Sequence, residues 1–180
     1  TGKDPRFVEI VLSESRRIVR HRENLIIAEH RLGFVMANAG IDHSNVGPDE
    51  GTERVLLLPV DPDRSATILR DELIEAYSKP VAVIISDSFG RPFRRGTVGV
   101  AIGAAGLPAA IDWRGQPDMF GRTLEVTETG FADEIAAAAS LVMGKAAEGR
   151  PVVLARGVPY DRREGSAKEL VRPKEIDLFR

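Results

Sequence analysis

The chain has 180 residues, 43% hydrophobic and 29% charged, with 25 Lys and Arg against 27 Asp and Glu for a net charge of −2. That length and composition predict one globular domain, 1–180, with a sizeable core and room for two small lobes, and the near-balanced charge argues against nucleic acid as a partner. Cys is absent and His21, His30 and His43 lack zinc spacing, which excludes a thiolate nucleophile and disfavours a soft-metal site.

Taken in chain order, Asp4-Pro5 predicts a helix start, with Phe7, Ile10, Val11 and Ile18 roughly on one face. The charge spread over Thr1–Arg20 does not read as a signal peptide, and the cytoplasm is the expected compartment. Strands are predicted at Leu25–Ala28 and Leu32–Ala37, followed by a glycine-containing loop with Asp42, and a third at Arg54–Leu58. Asp61-Pro62 repeats the helix-start signal ahead of an apolar face of Ile68, Leu69, Leu73 and Tyr77. Val81–Ser86 is the clearest strand, apolar on both faces and so expected to be central in its sheet. Thr97–Gly103 and Leu107–Ile111 read as further strands whose glycines let backbones approach, and Asp112–Gly115 reads as a turn. The apolar run 98–111 is broken by Gly103, Gly106 and Pro108 and is too short to cross a bilayer. An Ala-rich helix is predicted over Phe131–Ala147, with Asp133 and Glu134 early and Lys145 late, as the helix dipole favours. Pro151–Ala155 is a last strand, and Asp161–Arg180 a polar surface segment or an arm onto a partner.

Two oxygen-rich clusters stand at the ends of apolar segments: Asp42 with Ser44 and Asn45, and Asp87 with Ser86 and Ser88. Such donors suit Mg²⁺ or Mn²⁺, which take one or two carboxylates, hydroxyls, waters and substrate phosphates. The same residues also form ordinary capping and turn motifs, so both readings stand. Arg91, Arg94 and Arg95 follow Asp87 closely, and guanidinium groups beside a metal-binding Asp resemble a polyphosphate clamp, or a solvated basic loop. The glycines here match neither a dinucleotide fingerprint nor a Walker loop. In MGKAAEGR, 143–150, Lys145 could meet a phosphate and Glu148 a metal, although Lys and Gly are also what a plain helix end requires. His43, beside Asp42, reads as a solvated loop residue.

At these residues the chain resembles a known family, coenzyme F420:L-glutamate ligase, also called F420-0:gamma-glutamyl ligase. NAGIDHSNVG, LLPVDPDRSA, VAVIISDSFGRPFRRG with VGVAIG, DWRGQPDMFGR, LVMGKAAEGRPVVLARG and VRPKEIDLFR carry it, in order over Arg31–Arg180. The resemblance implies an α+β fold, a mixed sheet packed with helices, in an intertwined homodimer. It implies that L-glutamate is joined to a lactyl-phospho-deazaflavin precursor with GTP hydrolysis, using Mg²⁺ or Mn²⁺, two ions being expected, and K⁺. By position, Asp42 and Asp87 would hold one cation, Ser88 and Glu148 a second, while Asn45, Met143, Gly144 and Lys145 would line GTP. Family members usually carry a longer N-terminal portion with a T-S-K-x-x-S-K-like element; Thr1 is expected to follow it, leaving a partial domain. Phe93 stands where a Trp is common.

The expected mechanism is acyl activation: two cations and Arg91 or Arg94 neutralise the triphosphate, the acceptor carboxylate attacks the γ-phosphorus, and the amine of glutamate displaces phosphate. Phosphoryl transfer of this kind needs positioning and charge stabilisation rather than a protein nucleophile. The rival readings are a metal-dependent phosphohydrolase and a non-catalytic nucleotide-binding or dimerisation module.

Overall fold

A computed structural model describes residues 1–47 and 53–178. The last two residues of the VRPKEIDLFR motif and of the predicted polar arm therefore lie outside the described residues. The chain divides into two compact units: Thr1–Val60 with Phe89–Thr97, and Asp61–Ser88 with Val98–Arg180. The fold is α+β, with helices and small antiparallel sheets in place of the expected mixed sheet. The short links between successive strands explain this, since parallel pairing needs a long crossover.

The first unit begins with helix α1, Pro5–Ser13, whose N-cap Asp4 accepts the Arg6 N–H at 2.8 Å, as the Asp-Pro signal predicts. The helix stops before Ile18. Ser15–Arg22 is instead strand β1, antiparallel to β2, Leu25–His30, which pairs in turn with β3, Val35–Ala37. Ile18 matched the helical period, but pairing with Ala28 across the sheet decided its conformation. Phe7 and Val11 of α1 close over Ile26, Ala28, Ala39 and Ile41 to form this unit's core. The predicted strand Arg54–Leu58 reduces to one isolated bridge, Asp42 to Leu56. Beside the core, Arg31 Nη2 reaches both Glu14 oxygens at 2.6 and 2.8 Å, and buried His30 places Nε2 3.3 Å from Glu14. That last contact does not meet hydrogen-bond geometry, and burial, which lowers the affinity of His30 for a proton, disfavours the charged imidazolium there.

In the second unit, α2 spans Pro62–Tyr77 behind an Asp61 cap, again as predicted. Its apolar face does not behave as expected: Ile68, Leu69, Leu73 and Tyr77 are exposed, and Pro62 and Ala66 are the buried residues. The reason is steric. Gly103 admits the Pro62 backbone so closely that any Cβ there would collide with it, and small residues make the contact. Gly99 similarly admits Ala136 of α3, Phe131–Met143. Both glycines lie on β5, Arg94–Ala105, which pairs with β4, Val83–Arg91. Only Pro92 and Phe93 join these strands, so they form an antiparallel hairpin, with Phe93 at a left-handed φ of 59°. The strand expected to be central in its sheet is half-buried and has one partner among the described residues.

Two acids at helix N-termini grip the β5 backbone. Asp133 accepts the Ala101 N–H at 2.8 Å, and Asp63 accepts the Ala104 N–H at 2.9 Å. Burial raises the Asp133 carboxyl above its ordinary value, only partly opposed by the Ala101 N–H. Ala101, Ala104, Leu107, Ala109, Phe131 and Ala132 belong to the core beneath. Leu107–Ile111 is not a strand as predicted; only Ile111–Asp112, β6, pairs, with Glu128–Thr129, β7. The turn expected at Asp112–Gly115 is present, closed by Gln116 N–H to Trp113 O at 3.0 Å. Pro151–Ala155, also predicted as a strand, has no ladder partner among the described residues. Among the described residues no helix is long and apolar enough to cross a membrane.

Candidate functional site

In the first unit the backbone approaching Asp42 is unusual. Asn38, Ala39 and Gly40 have φ of 50°, 53° and 72°, and Asn45 beyond has 54°. Left-handed backbone at three non-glycine residues costs free energy and gathers at functional sites. It sets Ile41 into the core and turns Asp42 into a bridge, whose N–H donates to Leu56 O at 3.1 Å and whose carbonyl accepts the Leu56 N–H at 2.8 Å. The Asp42 carboxylate accepts the Ser44 N–H at 2.7 Å and the Ser44 hydroxyl at 2.6 Å. Burial pushes this carboxyl up, but the Ser44 hydroxyl and the Ser44 and His43 N–H groups prevail and hold it below its ordinary value. His43 is not simply solvated: its ring stacks on Phe7 with centroids 4.7 Å apart.

Arg91 and Arg94 flank the hairpin turn at the end of β4 and the start of β5. Arg91 Nη1 is buried without a hydrogen-bond partner, while Arg94 and Arg95 are exposed. An orphaned guanidinium nitrogen is costly unless a ligand completes it.

In the second unit, Asp87 departs from the sequence expectation. It lies within β4 rather than at a boundary between strand and loop, because the hairpin ladder runs on to Arg91. Its Oδ1 accepts the Ser88 N–H at 2.6 Å. Lys145, 57 residues further on, donates from Nζ to the Ser88 hydroxyl at 2.7 Å. Helix α3 ends at Met143, short of the predicted Ala147, because Gly144 adopts φ 81° and ψ −173°. A Cβ at Gly144 would strike the Glu148 carboxyl, which folds back to accept the Ala146 N–H at 2.8 Å. That N–H, followed by Glu148's own, holds the Glu148 carboxyl below its ordinary value. Arg150, which the sequence reading overlooked, caps the helix through Val142 O at 3.4 Å; a basic residue just past a helix end was the available signal.

Among the described residues no three His, Cys, Asp or Glu side chains are grouped so that they could hold a metal ion. Magnesium sites commonly use one or two carboxylates with water and substrate phosphate, and the hard oxygen donors of Asp42 in the first unit and of Asp87 in the second are each of the kind such an ion takes. Ser88 fits less well as its ligand. The Lys145 ammonium already bonds its hydroxyl and would repel a second cation on the same oxygen. Glu148 is anionic and exposed, but its Oε2 is engaged by the loop.

The F420-0:gamma-glutamyl ligase family profile matches residues 1–157. The chain belongs to this family. Coenzyme F420:L-glutamate ligase of Methanothermobacter thermautotrophicus is 53% identical over 182 aligned positions, covering 100% of this chain and 71% of that protein. The enzyme of the same name from Methanocaldococcus jannaschii is 48% identical, covering 100% and 70%, and that of Archaeoglobus fulgidus 47%, covering 99% and 70%. As a gamma-glutamyl ligase family member the chain is an amide-forming enzyme.

Proposed function

We propose that the chain joins L-glutamate to a deazaflavin coenzyme F420 precursor at the expense of GTP, through an acyl phosphate, as a homodimer. Family membership supports the ligase chemistry. The observation that carries the residue assignment is the Lys145–Ser88 contact, which sets the cation of the MGK segment beside the residue following Asp87. In this reading Met143, Gly144 and Asn45 border the nucleotide, Lys145 meets a phosphate, and Arg91 and Arg94 take up triphosphate charge. Asp42 and Asp87 would hold a divalent cation, Mg²⁺ or Mn²⁺, with K⁺ as an accessory ion. When bound, the divalent ion would supply charge neutralisation at the phosphates.

The acceptor carboxylate oxygen attacks the γ-phosphorus as the bond to GDP breaks. The amine of glutamate then attacks the acyl carbon, loses a proton and expels phosphate. Protein groups need only align the reacting atoms and hold water away. A second cation would be held by Ser88 and Glu148, where it would compete with Lys145 for the Ser88 hydroxyl.

Asp87→Ala should abolish metal-dependent GTP turnover and leave the thermal midpoint intact. Turnover within about tenfold of the parent, ~1.4 kcal/mol of barrier, would refute the role of Asp87. Product analysis separates ligation, which requires acceptor and glutamate, from phosphohydrolysis, which requires neither.

A further inference from the structure

The first unit buries a titratable group that the mechanism above does not use, His30 at the end of β2. Its ring closes the turn from β2 to β3. The Leu32 N–H donates to His30 Nδ1 at 3.0 Å, the Gly33 N–H to His30 O at 2.8 Å, and the His30 N–H to Phe34 O at 2.8 Å. A neutral imidazole has one donor and one acceptor nitrogen, so Nδ1 as the acceptor puts the proton on Nε2. Nε2 is buried with no hydrogen-bond partner among the described residues, 3.3 Å from Glu14 Oε2. An imidazolium has two donors and no acceptor. A second proton must therefore sit on Nδ1, where it faces the Leu32 N–H, and two donors at that separation repel.

The surroundings of the ring set when this happens. Burial is the largest influence and lowers its affinity for a proton below the ordinary value of 6.5. Glu14, the C-cap of α1, opposes that shift, while Arg31 of the turn and Arg16 of β1 add to it. Both Glu14 oxygens already accept from Arg31, and Glu29, next to His30 on β2, is held by Arg17 at 2.7 Å. The turn also has an output. Phe34 meets Phe89 edge-on with ring centroids 5.8 Å apart, and Phe89 directly follows Ser88 in β4.

We propose that the His30–Phe34 turn is an acid-operated latch: a proton taken from solvent onto His30 Nδ1 expels the Leu32 N–H, opens the turn and frees Phe34 from Phe89, while the core of the first unit stays folded. NMR of the isotope-labelled chain, titrated from neutral pH into acid, tests it. At neutral pH the His30 ring should carry its proton on Nε2. On acidification the Leu32 amide and the ring protons of Phe34 and Phe89 should shift with one midpoint, that of the His30 ring, below pH 6.5. The amides of Val11 and Ala28, in the core, should keep their native positions through that midpoint. Glu14→Gln removes the charge that favours the proton and should move the midpoint to lower pH, and His30→Asn should abolish the shift at Leu32. A proton on Nδ1 at neutral pH, or a Leu32 amide that stays fixed while His30 titrates, overturns the latch. So do Phe34 and Phe89 rings that do not respond, native signals of Leu32, Val11 and Ala28 that vanish together, or a midpoint in Glu14→Gln that is unchanged or raised. Should either variant fail to fold, the titration of the parent chain decides alone.

Discussion

Asp63 joins three segments of the second unit, and its removal gives a quantitative test. From the first turn of α2 its Oδ1 accepts the N–H groups of Ala104 and Ala167, each at 2.9 Å, and its Oδ2 accepts the Ser166 hydroxyl at 2.5 Å. One carboxylate thus ties a helix, a strand and the C-terminal segment together. In Asp63→Ala, two N–H groups on buried residues lose their acceptor. Each costs about 1–3 kcal/mol, and the lost acid at the helix N-terminus adds about 0.3–1 kcal/mol. The hydroxyl can turn to other partners, so the expected loss is about 3–5 kcal/mol. For a protein of this size each kcal/mol moves Tm by roughly 2–4 °C, which predicts a fall of about 6–20 °C. Asp63→Asn keeps an acceptor oxygen for both N–H groups and should lose about 1 kcal/mol. Urea denaturation with a constant m-value, alongside calorimetry, measures both variants. An alanine variant within about 1 kcal/mol of the parent, or an asparagine variant as damaged as the alanine one, would refute the reasoning.

Gly103→Ala drives a methyl group into the Pro62 backbone, which cannot yield as a flexible side chain could, and should lower the unfolding midpoint by at least as much as Gly99→Ala at Ala136. A stabilised Gly103→Ala variant would contradict the close approach of α2 to β5. Acid should weaken the first unit through His30, whose affinity for a proton is lowered by burial below the ordinary value of 6.5 despite the nearby Glu14. The unfolded chain binds that proton more readily, so this stability is present above pH 6.5 and is lost as pH falls toward the folded-state value. His30→Asn can keep the acceptor that His30 Nδ1 offers to the Leu32 N–H and should remove this part of the pH dependence; unchanged slopes for parent and variant would contradict it.

What the sequence revealed was mainly what short stretches decide by themselves. Asp4-Pro5 and Asp61-Pro62 start helices because capping and the fixed proline angle act within a few residues. Gly99 and Gly103 were legible as points of close approach because no other residue permits them. Ser15–Arg22 was not legible as a strand, since a sheet partner and not the local pattern sets its conformation. For the same reason Arg54–Leu58 and Pro151–Ala155 read as strands on composition and lack ladders in the fold. At the candidate site, the oxygen-rich character of Asp42 and Ser88 was plain. The partners that modify them were not: the Ser44 hydroxyl bond depends on a turn geometry, and the Lys145 contact joins positions 57 residues apart.

The central claim is that this chain couples GTP to amide formation, and the intact mass of the deazaflavin after incubation with GTP, Mn²⁺ and L-glutamate tests it most directly. The account predicts product heavier by glutamyl units, with GDP released in step and no product when nucleotide is withheld. GDP and phosphate released with the deazaflavin mass unchanged, or glutamyl addition without any nucleotide, would contradict it.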